Sequence, residues 1–305
     1  HCNEVGSWLI GLLVKAARPD KRVVFDVHEH YPSRFDEPHV PRWIRVWGRP
    51  LLRLLFRVLP RWTDHLVFAK RSVASDFPLV SGKYSYIYNY APVRMLPSSS
   101  RQFHTGGEVA APGGSVAVHL GPFSRARGWP QLLEALRLME TEDLEVLCLG
   151  DVYPSESALL AEAERLGVRD RVHLSKRVDY SEMLSYLLGA DMGVMLYQPG
   201  IQNHVYAFPM KMYDYMLAGI PFIGPEFAIE VRPVVCAERC GLLVDTGSSE
   251  QVAKAMDWLC ANRDEARAMG ERGRKAVMKR YNWDTQSEKL VRLYERLAGD
   301  ESRSR

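Results

Sequence analysis

VAVHLGPFSRARGWPQLLEALRLMETEDLEVLCLG, Val116–Gly150, is the stretch that decides the fold. Val116–Gly121 reads as a strand, Trp129–Met139 as a helix and Leu144–Gly150 as a second strand. A strand, a helix and a strand joined by short loops make a βα unit, which implies a parallel sheet covered by helices. Downstream the alternation continues. Ser155–Leu166 reads as a helix, Val172–Lys176 as a strand, Ser181–Gly189 as a helix and Met192–Leu196 as a strand. Met210–Leu217 is then a helix, Pro221–Ile223 and Gly241–Asp245 are strands, and helices run from Ser249 onward. Six strands with intervening helices complete a doubly wound domain.

Upstream the pattern is sparser. Glu4–Ala17 reads as a helix, and Arg22–Val27, Leu66–Ala69 and Tyr84–Tyr88 as strands, before a polar Gly/Pro/Ser-rich linker at 96–115. Three strands are fewer than a doubly wound domain uses. At about 30 residues per βα step, about 80–90 residues are expected to be missing ahead of His1, which is not a methionine. The expected organisation is a partial first domain at 1–100, a linker at 101–115, a complete second domain at 116–282, and a terminal helix and tail at 283–305.

The chain has 305 residues, 47% hydrophobic and 25% charged, as in a globular protein. No apolar run is long enough to span a bilayer. Five cysteines without paired spacing fit a reducing compartment better than a disulfide framework. Cys236 and Cys240 would share a face on a helix, but no further ligands complete a metal set, so burial is the better reading. The net charge of +3 is unevenly spread: between residues 38 and 63 stand six arginines with no lysine and no acidic residue. Arg42, Arg45, Arg49, Arg53, Arg57 and Arg61 recur every three or four residues, with Trp43, Trp47, Leu51 and Leu54 among the apolar residues between them. Pro50 is expected to divide this region into two helices. A basic amphipathic helix with tryptophans suits an anionic membrane surface, with Arg42, Arg45, Arg49, Arg53 and Arg57 as the contacts. The alternative is a surface helix whose leucines pack inward. No nucleic-acid motif accompanies the charge.

GPFSRARG followed by WPQLLEAL (Gly121–Leu136), FPMKMYDYMLAGIPFI (Phe208–Ile223), CGLLVD (Cys240–Asp245), VVFDVHEHYP (Val23–Pro32) and IYNYAP (Ile87–Pro92) together resemble glycosyltransferase family 4. The resemblance implies an α/β fold of two Rossmann-like domains (GT-B), here with the first incomplete. It also implies transfer of a sugar from a nucleoside-diphosphate donor with retention of configuration and no metal or other cofactor.

Each motif has a physical rationale. Without a metal, fixed cations and helix N-termini must neutralise a departing diphosphate. Arg125 and Arg127 follow Gly121 at a strand's carboxyl end. The family commonly has an arginine directly after that glycine; here Pro122 takes its place. Pro209, read as the first helical residue, would leave the next amides free, with Lys211 adding charge. The resemblance assigns donor binding to Gly121, Arg125, Arg127, Arg177, Tyr206, Phe208, Met210, Lys211 and Asp214. Asp214 stands where the family has a ribose-gripping glutamate, and Tyr206 where it has a second one. His28, after the first strand, is the expected catalytic residue facing the donor sugar. A saccharide or lipid-linked acceptor is implied, in cell-surface polysaccharide synthesis, with the protein cytoplasmic and peripheral on the inner face of the plasma membrane. Two other readings are a non-catalytic nucleotide-sugar-binding partner, consistent with Pro122 and Tyr206, and a sugar-nucleotide epimerase, for which no convincing acid/base set is found.

Overall fold

The computed structural model describes residues 1–35, 40–78, 82–97, 104–105, 108–109 and 114–299, with 104, 105, 108 and 109 described by backbone alone. Most of the expected linker at 101–115 lies outside the described residues. The chain divides into two compact units, one built from His1–Tyr90 and Trp283–Arg305, the other from Ala91–Asn282.

The first unit holds a parallel sheet, in the order β1 (Val24–Val27), β2 (His65–Phe68), β3 (Tyr84–Tyr86). Alternation along the strands gives it two apolar faces. On one, Phe25 stacks on Trp8 at 4.3 Å between ring centroids, and Phe56 stacks on Phe77 at the same separation. The indole of Trp8, fully buried in the helix Val5–Ala17, donates to Thr63 Oγ1 at 2.9 Å. The opposite face packs Val24, Val67 and Ile87 against Leu293, with Trp283, Leu290 and Leu297 beside it, all four from the helix Trp283–Gly299.

Arg42–Val58 is a single helix, not the two expected from Pro50. Pro50 removes one amide donor, but it is exposed, so water can satisfy the carbonyl left without a partner. Leu52 and Phe56, buried in the turns that follow, hold the second half in line.

In the second unit, the short antiparallel pair β4 (His104–Thr105) and β5 (Glu108–Val109) precedes a six-stranded parallel sheet. Its strands are β6 (Ser115–Leu120), β7 (Leu144–Leu149), β8 (Val172–Ser175), β9 (Met192–Val194), β10 (Phe222–Pro225) and β11 (Gly241–Val244). The spatial order is β11-β10-β9-β6-β7-β8. The chain starts at β6, builds outward to β8, then returns to lay β9 on the other side of β6. The β6–β9 junction is therefore the switch point, where sheets of this kind bind ligands beyond the strands' carboxyl ends.

The junction is fastened from below by the helix Met210–Ala218. Tyr215 is fully buried, and its hydroxyl lies 3.1 Å from the carbonyl oxygens of both Val118 on β6 and Val194 on β9, sharing its proton between them. Gly193 makes room for the ring, since a Cβ there would lie 2.5 Å from it. Among the described residues no helix is long and apolar enough to cross a membrane. Cys240 is buried at the start of β11, whereas Cys236 is exposed on the helix Arg232–Glu238, so the two do not share one helix face.

Removing the Tyr215 hydroxyl leaves two buried carbonyls without that donor. Tyr215→Phe is expected to lower unfolding stability by about 1–3 kcal/mol, read by urea denaturation, with the fold retained.

Candidate functional site

Three loops at neighbouring carboxyl ends and the starts of two helices surround a cavity of ≈ 470 Å³ in the second unit. Gly121 and Pro122 follow β6, Gly150 and Asp151 follow β7, and Arg177 and Val178 follow β8. Met210, Lys211 and Asp214 come from the helix Met210–Ala218, and Tyr180 and Met183 from the helix Tyr180–Leu187. The first two loops touch: Gly150 has φ +140°, and a Cβ on it would lie 2.6 Å from the Gly121 carbonyl oxygen.

The helix begins at Met210, where the alternation placed it, with Pro209 in the cap position just before it and not at the first helical position. The amide of Met212 turns back to the Pro209 carbonyl at 3.2 Å. Those of Met210 and Lys211 belong to the first turn, whose amides have no intrahelical partner, and such a start favours anions.

Lys211 is the central side chain. It is buried, and its Nζ has no hydrogen-bond partner among the described residues. Burial, reinforced by Arg127, brings its pKa down to about 7, while Asp214 opposes the shift. The amine lies 5.6 Å from the centroid of the Tyr197 ring, and the Arg127 guanidinium lies 5.5 Å from the same centroid. Two cations thus gather around one aromatic ring, which itself stacks on His204 at 4.8 Å. His204 Nδ1 lies 3.1 Å from the Gln198 carbonyl, and burial lowers the imidazole pKa. Burial also holds His119, on β6, well below its ordinary pKa, with Lys211 adding to the effect. Both rings are therefore neutral at pH 7, which spares the site further positive charge.

Asp214 accepts a hydrogen bond from the Tyr180 hydroxyl at 2.5 Å. Burial pushes the Asp214 pKa up to about 6, against the lowering influence of Tyr180 and Lys211.

Of the residues expected from the sequence, Gly121, Arg177, Met210, Lys211 and Asp214 line this one cavity, and Arg127 stands near it through Tyr197. Arg125 does not line it. Its guanidinium instead lies over the ring of the buried Trp129 at 4.8 Å, where the indole offers it a π-face. Phe208 packs on Tyr213 at 5.3 Å, and Tyr206 follows the short helix Gln202–Val205; neither lines the cavity. Tyr180, Tyr197 and His119 were not singled out from the sequence. Tyr197 lies three residues beyond β9, so its place after a strand at the switch point was the available signal. Among the described residues no three His, Cys, Asp or Glu side chains form a metal-holding group.

In the first unit, His28 follows β1. Asn89 Nδ2 donates to its Nδ1 at 3.0 Å, which places the proton on Nε2, 3.0 Å from Asp26 Oδ2. The bond to Asp26 raises the His28 pKa, with burial opposing. Arg45 and Arg49 turn inward, donating to the carbonyls of Val40 at 2.9 Å and Pro32 at 3.2 Å, so they depart from the expected outward basic face. Arg42, Arg53 and Arg57 are exposed beside Trp43 (69% exposed), Trp47 (74%), Leu51 and Leu54.

The sequence profile of "Glycosyl transferases group 1" matches residues 102–276. The N-acetyl-alpha-D-glucosaminyl L-malate synthase of Bacillus anthracis is 26% identical over 187 residues, covering 61% of this chain and 45% of that protein. The GDP-mannose-dependent alpha-(1-6)-phosphatidylinositol monomannoside mannosyltransferase of Mycobacterium tuberculosis is 30% identical over 141 residues, covering 46% and 36%. The chain thus matches less than half the length of either relative. Among solved structures, Anabaena HepE in complex with UDP superposes with a TM-score of 0.72 at 14% identity, covering 95% of this chain and 76% of that one. Sucrose-phosphate synthase of Thermosynechococcus elongatus gives 0.70 at 17%, covering 96% and 72%. These structures share the fold.

The buried amine of Lys211 has a signature of its own. Its pKa is about 7 in the folded chain against 10.5 ordinarily, so between these values the unfolded chain holds the extra proton and stability rises with pH. Lys211→Met is expected to stabilise the ligand-free protein by about 1–4 kcal/mol at pH 6, with the advantage shrinking by pH 9, as read from thermal unfolding at both values.

Proposed function

The chain belongs to the group 1 glycosyl transferases, and on that premise we propose that it transfers a sugar from a nucleoside-diphosphate donor to a saccharide or lipid-linked acceptor in cell-surface polysaccharide synthesis. One observation carries the reading. A buried amine without a partner, a helix start and a buried carboxylate meet in one cavity at the sheet's switch point. A diphosphate satisfies the first two, and the hydroxyl pair of a ribose suits the third.

Bringing a diphosphate to Lys211 returns its pKa toward the ordinary lysine range, so the amine is charged when the leaving group needs it. Arg127 adds a second cation. With retention, the bond from the anomeric carbon to the phosphate oxygen breaks as the acceptor oxygen bonds to the same carbon. The acceptor's proton passes to the departing phosphate oxygen. The chain then supplies orientation and electrostatic stabilisation, with no general base and no metal. His28 is carried forward as the first unit's candidate for the reaction, in its Nε2–H form.

The lipid-linked side of the reading has a second support. Trp43, Trp47, Leu51 and Leu54 project from a helix that also exposes Arg42, Arg53 and Arg57, a combination suited to the interface of an anionic bilayer. The phosphatidylinositol mannoside named for the mycobacterial relative is an acceptor of the class expected here. The corresponding location is the inner face of the plasma membrane.

Two tests follow. In a panel of nucleotide sugars supplied with membrane extract, the protein is expected to release nucleoside diphosphate. Arg127→Ala should lower kcat/KM by about 2.7–4 kcal/mol of transition-state stabilisation, and an unchanged kcat/KM removes Arg127 from the role. Tight binding of a nucleotide sugar without turnover would favour a non-catalytic binding protein instead. In co-sedimentation, the protein should pellet with phosphatidylglycerol-containing vesicles more than with pure phosphatidylcholine, and Trp47→Ser should weaken that pelleting. Equal pelleting with both vesicle types would argue against the electrostatic contact.

A further inference from the structure

The hydrogen bond between Tyr180 and Asp214 joins two neighbouring helices at the cavity. Tyr180 opens the helix Tyr180–Leu187, Asp214 lies one turn into Met210–Ala218, and both line the cavity. At 2.5 Å the contact has the length of a hydroxyl bonded to an ionised carboxylate. It engages Oδ1 alone, and Oδ2 carries no hydrogen bond among the described residues.

From this geometry we propose that Tyr180 is a positioning residue for donor recognition, clamping Oδ1 of Asp214 so that Oδ2 is presented, ionised and in a fixed orientation, to the hydroxyl pair of the donor's ribose. The inference rests on the reading of Asp214 as the ribose acceptor and names the group that makes that reading workable. A short aspartate buried beside a cavity has two weaknesses. Its carboxyl can rotate, and burial favours the protonated form, which accepts poorly. One donor fixed at Oδ1 corrects both. Tyr180 suits the task because its own burial, with the nearby Asp214 carboxylate, raises the phenol's pKa and keeps the proton on it across the working range.

The charged groups around Asp214 are few. Tyr180 faces it from the neighbouring helix and Lys211 from its own. Asp151 and Arg177 reach the same cavity from the loops after β7 and β8. Lys211 is committed to the diphosphate in the reading above, which leaves Tyr180 as the group dedicated to the carboxylate.

The test measures equilibrium binding of UDP, GDP and ADP and of their 2′-deoxy counterparts to the whole protein. The ribo-to-deoxy affinity ratio is the readout, because protonation of the diphosphate cancels in it. The wild type is expected to prefer the ribo form, with the preference fading as pH falls through about 6, where Asp214 takes up its proton. Tyr180→Phe, which deletes one oxygen, should cut the ratio about fivefold to tenfold at pH 7.5 and move the acid limb to higher pH. In an Asp214→Asn background the same change should have no further effect on the ratio. A purely structural tyrosine would weaken ribo and deoxy forms alike and leave the limb in place. That result, or a Tyr180→Phe protein with its full ribo preference, overturns the proposal. If the wild type shows no ribo preference while Lys211→Met still weakens binding, the ribose role of Asp214 falls, and this proposal with it, but the diphosphate site stands. If Lys211→Met binds as well as the wild type, the diphosphate reading itself is at fault.

Discussion

The second unit is organised around the junction of β6 and β9, where the direction of chain building reverses. Chain direction carries β7 and β8 to one side of β6 and β9 to β11 to the other, and β6 pairs directly with β9 from Ala117↔Met192 to His119↔Val194. Tyr215 braces that pair, reaching from the helix Met210–Ala218 to the carbonyls of Val118 and Val194. The same bond ties that helix to both strands. Its first turn and Asp214 are thereby set against the loops after β6, β7 and β8. One buried hydroxyl thus links the sheet junction to the helix that carries part of the site.

Charge in the site is held in an unfinished state. An amine buried without a partner and a carboxylate raised to about 6 are each unfavourable in the ligand-free protein, and the neutral His119 and His204 limit the repulsion. A ligand with a doubly anionic centre and a hydroxyl pair would relieve both at once. Such a site gains specificity from what it leaves unsatisfied, since a molecule lacking either feature leaves a buried group uncompensated. The proposed pairing of Tyr180 with Asp214 extends the same logic: one oxygen is occupied internally so that the other can be selective.

The first unit poses a different physical problem. Its aromatic core, from Trp8 to Phe77, is closed on one face of a short sheet, and Leu293 closes the other. The helix Arg42–Val58 buries only Leu52 and Phe56 and leaves two tryptophans and two leucines in contact with water. Exposed large apolar residues grouped this way mark an interaction surface more often than a fault in packing. The inward turn of Arg45 and Arg49 toward backbone carbonyls shows that the basic stripe is partly structural.

Much of this was legible in the residues alone. Apolar runs ending at Gly121 and Gly150, with a helical pattern between, pointed to a parallel sheet because a helix is the usual crossover between parallel strands. The cation at Lys211 was legible because it stands at a helix start, and Asp214 through its resemblance to the family's ribose-binding glutamate. Other features depended on contacts between distant segments. Periodicity located two faces on the arginine-rich helix but not which one turns to the core, since that depends on what packs there. A proline ordinarily breaks a helix, yet Pro50 is tolerated because Leu52 and Phe56 are anchored beyond it. The roles of Tyr180, Tyr197 and His119 arise from groups far apart in the chain, and the stacking of Arg125 on Trp129 depends on side-chain orientation that spacing alone does not set. The sequence by itself determined the order of strands and helices and the charges at their ends. Only the tertiary structure decided which of those charges are buried, paired or left waiting, because desolvation and hydrogen bonding depend on neighbours that the chain order does not specify.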